Sequence, residues 1–349
     1  MKKHIRLLVL ALAFATVGCI SIPPGLLQYA QEQFAEQNQN ISPSDVAKAM
    51  EILLKIQTEV PAAFQDTGAI AQLITILEGY ESMVETNAYQ APEGALFAGF
   101  LLDGTKMRVM NKLSINANKD DYLVLLEKLK GWGFNQIPFF LANEGDGGPV
   151  PTTFYRDAWF GDVDPVKVEL MRSRIMAAKE MGFAVELWGF ADDSPSLAKA
   201  TPEQLRRFYE DCVKYFGDLA DSWCLGLEID EWGKHWWNAL WHTPDVLTIR
   251  GCADILEATG KPVAIHLTTY KHIDLAHKAG VKRLNAQFGW LKSAGEMTSA
   301  MKWLDANRGD IEIVATEFNK DSITPLATAL ATEAMKQGAI GTQTGRPAK

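Results

Sequence analysis

The chain has 349 residues with 34 basic and 43 acidic side chains, a formal charge of −9, and 47% hydrophobic residues. This is enough chain for one large domain or two ordinary ones. The apolar share excludes a disordered protein, and the absence of any basic stripe excludes a nucleic-acid surface.

Lys2, Lys3 and Arg6 precede an apolar run from Leu7 to Val17. The run is too short for a permanent span and has the build of a secretory leader. Thr16-Val17-Gly18-Cys19 closes it and resembles a bacterial lipoprotein box, with Thr16 where that box usually has Leu. The resemblance implies that residues 1–19 are leader and that Cys19 is lipidated. The mature chain would then be secreted and anchored to the cell envelope at a membrane surface. An ordinary leader with an incidental cysteine is the alternative. Cys212, Cys224 and Cys252 stand in apolar surroundings without CxxC spacing, so they read as buried hydrophobes and not as metal ligands.

Residues 20–93 differ in character from the larger, C-terminal part of the chain. Gln28 to Asn40 is a polar spacer or polar helix. Ser42-Pro43-Ser44-Asp45 then starts a segment in which Val46, Met50, Leu53, Leu54 and Ile56 recur at helical spacing. Ile70, Leu73, Ile74, Ile76 and Leu77 repeat the pattern. One or two amphipathic N-terminal helices are expected, free to pack on the main domain or on copies of themselves.

From residue 94 to residue 349 a single motif repeats: an apolar strand, a polar strand end, a helix, a glycine. Strands are predicted at 95–102, 136–141, 184–189, 223–228, 263–268, 283–288, 311–316 and 339–342. Thr201-Pro202-Glu203-Gln204 is a capping box with proline in the first turn, and Asp164-Pro165, Thr243-Pro244 and Thr324-Pro325 repeat the cap-proline pair. Gly133, Gly182, Gly260, Gly280 and Gly338 end the helices. Eight strands alternating with helices over about 250 residues predict a (β/α)₈ TIM barrel, with an N-terminal helix covering the place of the missing eighth one. A doubly wound sheet would need a glycine-rich loop after the first strand, and none is there.

In such a barrel the C-terminal strand ends build the site. Strand three ends in Glu186, Trp188 and Asp192, and strand four in Glu228 and Asp230 with Glu231 behind them. Strand five brings His266 and Tyr270, and strand six Asn285, Gln287 and Trp290. Strand seven closes on Glu317, and strand eight supplies Thr342, Gln343 and Thr344. Seven of the ten tryptophans lie at these ends or in the loops behind: Trp159, Trp188, Trp232, Trp236, Trp237, Trp241 and Trp290. That is more than core packing places at one end of a barrel, and aromatic faces stack on the C–H surfaces of sugars. His266 is a substrate hydrogen-bonder or a satisfied core histidine, because no HxH or HExxH accompanies it. Gly338-Ala-Ile-Gly341-Thr-Gln-Thr-Gly345 has the glycine content of a phosphate loop. With no basic residue before Arg346, its glycines read as relief of crowding.

Carboxylates at the ends of strands four and seven make the region from residue 94 onward resemble the retaining glycoside hydrolases of the barrel clan often called clan A. The resemblance implies Glu228 as general acid/base and Glu317 as nucleophile, with no cofactor or metal and a poly- or oligosaccharide as substrate. Trp188, Asp230, Trp232, Trp237, His266, Tyr270, Gln287, Trp290 and Gln343 are the expected substrate-binding residues. The clan usually has Asn before the strand-four Glu, where this chain has Leu227. Asp230, two residues further along one strand face, or Glu231 could therefore be the acid. Leu227 also favours the alternative of a surface-tethered carbohydrate-binding lipoprotein that keeps the barrel without catalysis. In that case Glu317 would be a structural acid paired with Lys320 or Arg346. Sugar, linkage, endo or exo action, and retention or inversion stay open on sequence alone.

Overall fold

The computed structural model describes residues 91–98, 119–143, 152–156, 161–190, 200–230, 245–317 and 325–346. Eight strands in these residues run parallel: β1 (Leu96–Ala98), β2 (Gln136–Asn143), β3 (Ala184–Phe190), β4 (Ser222–Cys224), β5 (Val263–Leu267), β6 (Arg283–Gln287), β7 (Glu312–Thr316) and β8 (Gly341–Gln343). Each is hydrogen-bonded to the next, β8 pairs with β1, and β1 meets β2 at Ala98 and Gln136, so the sheet closes. A two-residue antiparallel piece, Thr152–Thr153, extends β2. The helices between strands are α1 (Lys119–Gly131), α2 (Pro165–Glu180), α3 (Pro202–Phe216), α4 (Val246–Glu257), α5 (Asp274–Ala279), α6 (Ala294–Asn307) and α7 (Pro325–Lys336). The fold is the expected (β/α)₈ barrel. The expected leader, Cys19 and the N-terminal helices lie outside the described residues.

The local signals explain the helix boundaries. Thr201 caps α3 through the Gln204 amide while the Gln204 side chain returns to the Thr201 N–H, and Pro202 occupies the first turn, where no amide is needed. Asp164 caps α2 through the amides of Val166 and Lys167. The start of α4 differs from expectation. Thr243-Pro244 lies outside the described residues, and Asp245 is the cap, accepting from the Thr248 N–H. All five expected terminating glycines adopt φ between 68° and 93°, where a side chain is strained.

Helix α3 buries Leu205, Phe208, Tyr209, Cys212 and Phe216, one stripe at helical spacing. Phe208 packs 5.8 Å from Phe154 and 5.7 Å from Phe190, and Phe216 packs 5.4 Å from Phe154. Each such ring contributes about 1.5–3 kcal/mol of burial, so this layer between barrel and helices is a main source of stability.

The inside of the barrel differs from the branched aliphatic filling usual for the fold. The register carries inward positions around the sheet, Glu186 beside Ser222, Cys224 beside Ala264, His266 beside Asn285, and Gln343 beside Ala98. Gln136, Glu186, His266, Asn285, Thr316 and Gln343 are all buried. Small residues make room for them. A side chain at Gly341 would overlap the Leu96 carbonyl, so the glycine there relieves crowding between β8 and β1.

Strand β4 is shorter than predicted. It ends at Cys224, and Leu227–Asp230 form a turn instead of continuing the alternation. Glu228 has φ +50°, which no extended strand permits. The expectation that Glu228 and Asp230 share a strand face is corrected accordingly.

Candidate active site

Three residues other than glycine have positive φ among the described residues, and each lies past the C-terminal end of a barrel strand. They are Glu228 (50°) after β4, Glu317 (50°) after β7 and Thr344 (68°) after β8. An L-residue in this region costs about 1–2 kcal/mol relative to its ordinary backbone. Glycine, asparagine or aspartate would relieve most of that, yet the positions carry two glutamates and a threonine.

His266 joins the two glutamates. Its Nδ1 accepts the backbone N–H of Glu228 at 3.0 Å. A peptide N–H can only donate, so Nδ1 carries a lone pair and the ring proton sits on Nε2. Nε2 lies 3.2 Å from Thr316 Oγ1 and 3.8 Å from Glu317 Oε1, so the N–H points at the hydroxyl and toward the carboxylate. Burial pulls the His266 pKa down to about 3, with nearby Asp230 opposing, and the ring is neutral. One imidazole thus holds the left-handed turn at Glu228 and directs the positive end of its dipole at Glu317. Gln287 completes the setting by donating from Nε2 to Glu317 Oε2 at 2.6 Å.

Below them lies a third carboxylate. Glu186 is fully buried and accepts from Trp188 Nε1 at 2.7 Å, Gln343 Nε2 at 2.6 Å and Asn285 Nδ2 at 3.2 Å. Burial raises its pKa, and those three donors oppose the rise. It is the floor of the barrel, not a group open to a ligand. The chain sequence marks Glu186 and Asn285 only as strand-end polar residues, and only the closed barrel shows that they meet.

The expected substrate-binding residues differ in exposure and in the contacts they make. Trp188 is 1% exposed, with its ring 5.1 Å from Phe140 and 5.3 Å from His266, so it offers no face to a sugar. His266 and Gln343 are wholly buried and committed to the contacts above. Asp230 turns away. Its Oδ1 accepts the Thr268 N–H at 2.9 Å, and Oδ2 takes the Thr268 hydroxyl at 2.7 Å and His272 Nδ1 at 2.5 Å, clasping the end of β5. Tyr270 stacks on Phe288 at 5.1 Å and meets Trp303 edge-on at 5.5 Å, lining a groove of about 620 Å³ beside α6. Trp290 is 79% exposed at the loop after β6, more open than Trp303 at 37%. Leu227 is buried. Trp159, Asp192, Glu231, Trp232, Trp236, Trp237, Trp241 and Lys320 lie outside the described residues.

Two acceptors near Glu317 are buried without a hydrogen-bond partner, Gln287 Oε1 and Thr344 Oγ1. Ala315 and Thr342 share a rung, so Glu317 and Thr344, each two residues on, emerge level at the rim. Among the described residues no group of three or more His, Cys, Asp or Glu is placed to hold a metal ion. At the rim the Glu228 and Glu317 side chains are partly exposed, whereas the Gln287 carbonyl and the Thr344 hydroxyl are enclosed.

No family model and no characterised protein matches the sequence. Solved structures do match in fold. An exo-β-1,4-mannosidase from Opitutaceae bacterium strain TAV5 aligns at TM-score 0.51 and 13% identity over 74% of this chain. A family 1 β-glucosidase from Thermotoga maritima aligns at 0.50 and 11% over 72%. A glycoside hydrolase family 5 protein from Bacteroides vulgatus ATCC 8482 aligns at 0.48 and 11% over 72%. The chain spans 53% of the mannosidase and 58% of the Bacteroides protein, against 88% of the glucosidase. The mannosidase and the family 1 glucosidase thus share this barrel fold.

Proposed function

We propose that this chain is a glycoside hydrolase acting on a poly- or oligosaccharide, with Glu317 as nucleophile and Glu228 as general acid/base. The observation that carries the reading is the pair of strained glutamates at the ends of β4 and β7, tied together through one neutral histidine. Strain kept at two carboxylates, where glycine would relieve it, is the mark of a site held for chemistry. In the first step the Glu317 carboxylate attacks the anomeric carbon as the glycosidic C–O bond breaks, and Glu228 gives its proton to the leaving oxygen. In the second, water displaces Glu317 from that carbon and returns a proton to Glu228. The Gln287 N–H and the His266 ring hold Glu317 in place. Trp290 supplies an aromatic face for a sugar ring. A lipid on Cys19 would hold this barrel at the cell envelope, close to polymeric carbohydrate.

A buried Leu227, where the clan has an amide for the sugar 2-hydroxyl, supports a second reading: a binding protein with the same barrel and no turnover. Rate assays on a panel of polysaccharides and aryl glycosides separate the two. Wild type should hydrolyse at least one substrate, and Glu317→Gln should lower kcat by about 10³-fold or more while Kd for the same sugar stays near the wild-type value. Equal turnover in the variant would remove Glu317 as nucleophile. Binding without turnover in both proteins would establish the second reading.

A further inference from the structure

The groove of about 620 Å³ beside α6 is lined by neither glutamate. One wall is the turn after β5, with Tyr270 and Lys271. The other is the loop after β6, at Leu291, and the first turns of α6. Both walls start from the C-terminal ends of neighbouring strands, the end of the barrel that carries Glu317. Along α6, Glu296, Ser299 and Trp303 recur at helical spacing on the groove side, while Met297, Met301 and Leu304 are buried. Trp303 keeps 37% of its surface exposed and meets Tyr270 edge-on at 5.5 Å, so two rings at 70° make a corner of the groove.

The groove is continuous with the candidate active site. Tyr270 stacks on Phe288 at 5.1 Å, and at the next residue, Gly289, a Cβ would stand 3.2 Å from the Glu317 carbonyl oxygen. Exposed Trp290 follows, and then Leu291, a wall of the groove whose N–H donates to the Phe288 carbonyl at 3.0 Å. The loop thus passes from contact with Glu317 to the groove through one open tryptophan. The lining carries one ammonium, Lys271, and one carboxylate, Glu296, so no net charge there draws an ion. Aromatic rings beside polar groups match a neutral ligand with apolar C–H faces and a hydroxyl edge. A partner's β-strand has no edge to extend at this place, because β5 and β6 are each paired on both sides within the closed sheet.

We propose that this groove is a second saccharide subsite, filled by distal units of the chain that Glu317 and Glu228 act on. The substrate class is then a neutral saccharide chain long enough to reach from Glu317 past Trp290 to Trp303, not a short glycoside. The inference rests on the glycosidase reading and deepens it.

Calorimetry on full-length Glu317→Gln protein tests it, using cello-, manno-, xylo- and laminari-oligosaccharides, each as a disaccharide and a hexasaccharide. In at least one series the longer ligand should bind about tenfold or more tighter than the shorter. Adding Trp303→Ala should remove that gain and leave the disaccharide affinity unchanged, while Trp303→Phe keeps part of it. Ser299→Arg, at an exposed position, fills the groove with the tryptophan still in place and should remove the gain too. It also keeps the test decisive if Trp303→Ala unfolds at a lower temperature. Equal affinity for long and short ligands in every series that binds, or a gain that survives either substitution, overturns the inference and leaves the glycosidase reading standing. A dimer in sedimentation that Trp303→Ala disperses gives the groove to a second copy of the chain and overturns it as well. Binding in none of the four series overturns both readings.

Discussion

The backbone at Glu228 and Glu317 links stability to function in a way that can be measured. Glu228 sits at φ +50°, so an alanine there bears the strain and a glycine escapes it. Glu228→Ala and Glu228→Gly both remove the carboxylate and both keep the N–H that donates to His266, so their difference isolates the backbone. Glu228→Gly should be the more stable by about 1 kcal/mol in urea unfolding, although glycine adds entropy to the unfolded chain. Equal stability, or a more stable alanine variant, would mean that the turn is unstrained, and the argument from strain to chemistry would fall. The place of Glu317 at the end of strand seven was legible from sequence because one carboxylate closes an apolar run. The left-handed turns were not, because nothing local in Leu227-Glu228-Ile229 or Thr316-Glu317 requires them. At Glu228 the requirement comes from His266, 38 residues away on the next strand.

At the scale of elements, β5 carries that requirement and makes it sensitive to pH. The folded pKa of His266 is about 3, below the ordinary 6.5, so its contribution to stability is complete above pH 6.5 and is lost as pH falls from 6.5 toward 3. The loss amounts to about 2 kcal/mol between pH 7 and 5 and about 4 kcal/mol by pH 3. Glu186 acts in the opposite sense, because burial raises its pKa and the penalty for its ionised form eases as pH falls. In His266→Gln the carboxamide can still accept from Glu228 but does not titrate. Wild type should therefore lose about 2 kcal/mol more than this variant between pH 7 and 5 in denaturant unfolding. Parallel pH curves for the two proteins would show that His266 is not held neutral. Element boundaries followed local chemistry wherever caps and glycines set them, as at Thr201, Asp164 and Gly280. They departed from it where a neighbouring strand intervened, as at the end of β4. The buried acid-amide cluster around Glu186 was illegible for the same reason, since its members come from β3, β6 and β8 and meet only when the barrel closes.

Closure is the property of the whole molecule, and β1 is the strand that completes it. Among the described residues that strand has three residues, shares three rungs with β8 and one with β2, between Ala98 and Gln136. Asn135 reinforces the seam. Its Oδ1 accepts the Phe97 N–H at 2.7 Å, its Nδ2 donates to the Ala95 carbonyl at 2.9 Å, and its own N–H donates to the Phe97 carbonyl at 2.9 Å. The side-chain amide stands in for a peptide group and lengthens the β1–β2 ladder at the N-terminal end of the barrel. Asn135→Ala removes two hydrogen bonds of about 1 kcal/mol each and leaves the Phe97 N–H and Ala95 carbonyl without these partners. Global stability should fall by about 2 kcal/mol, and amide exchange at Phe97 should accelerate more than exchange in β6 or β7. Both glutamates lie at the other end of the barrel, so binding and turnover below the melting temperature should match wild type. A loss of turnover without loss of stability would show that the seam reaches the site, and that β1 does more than close the sheet.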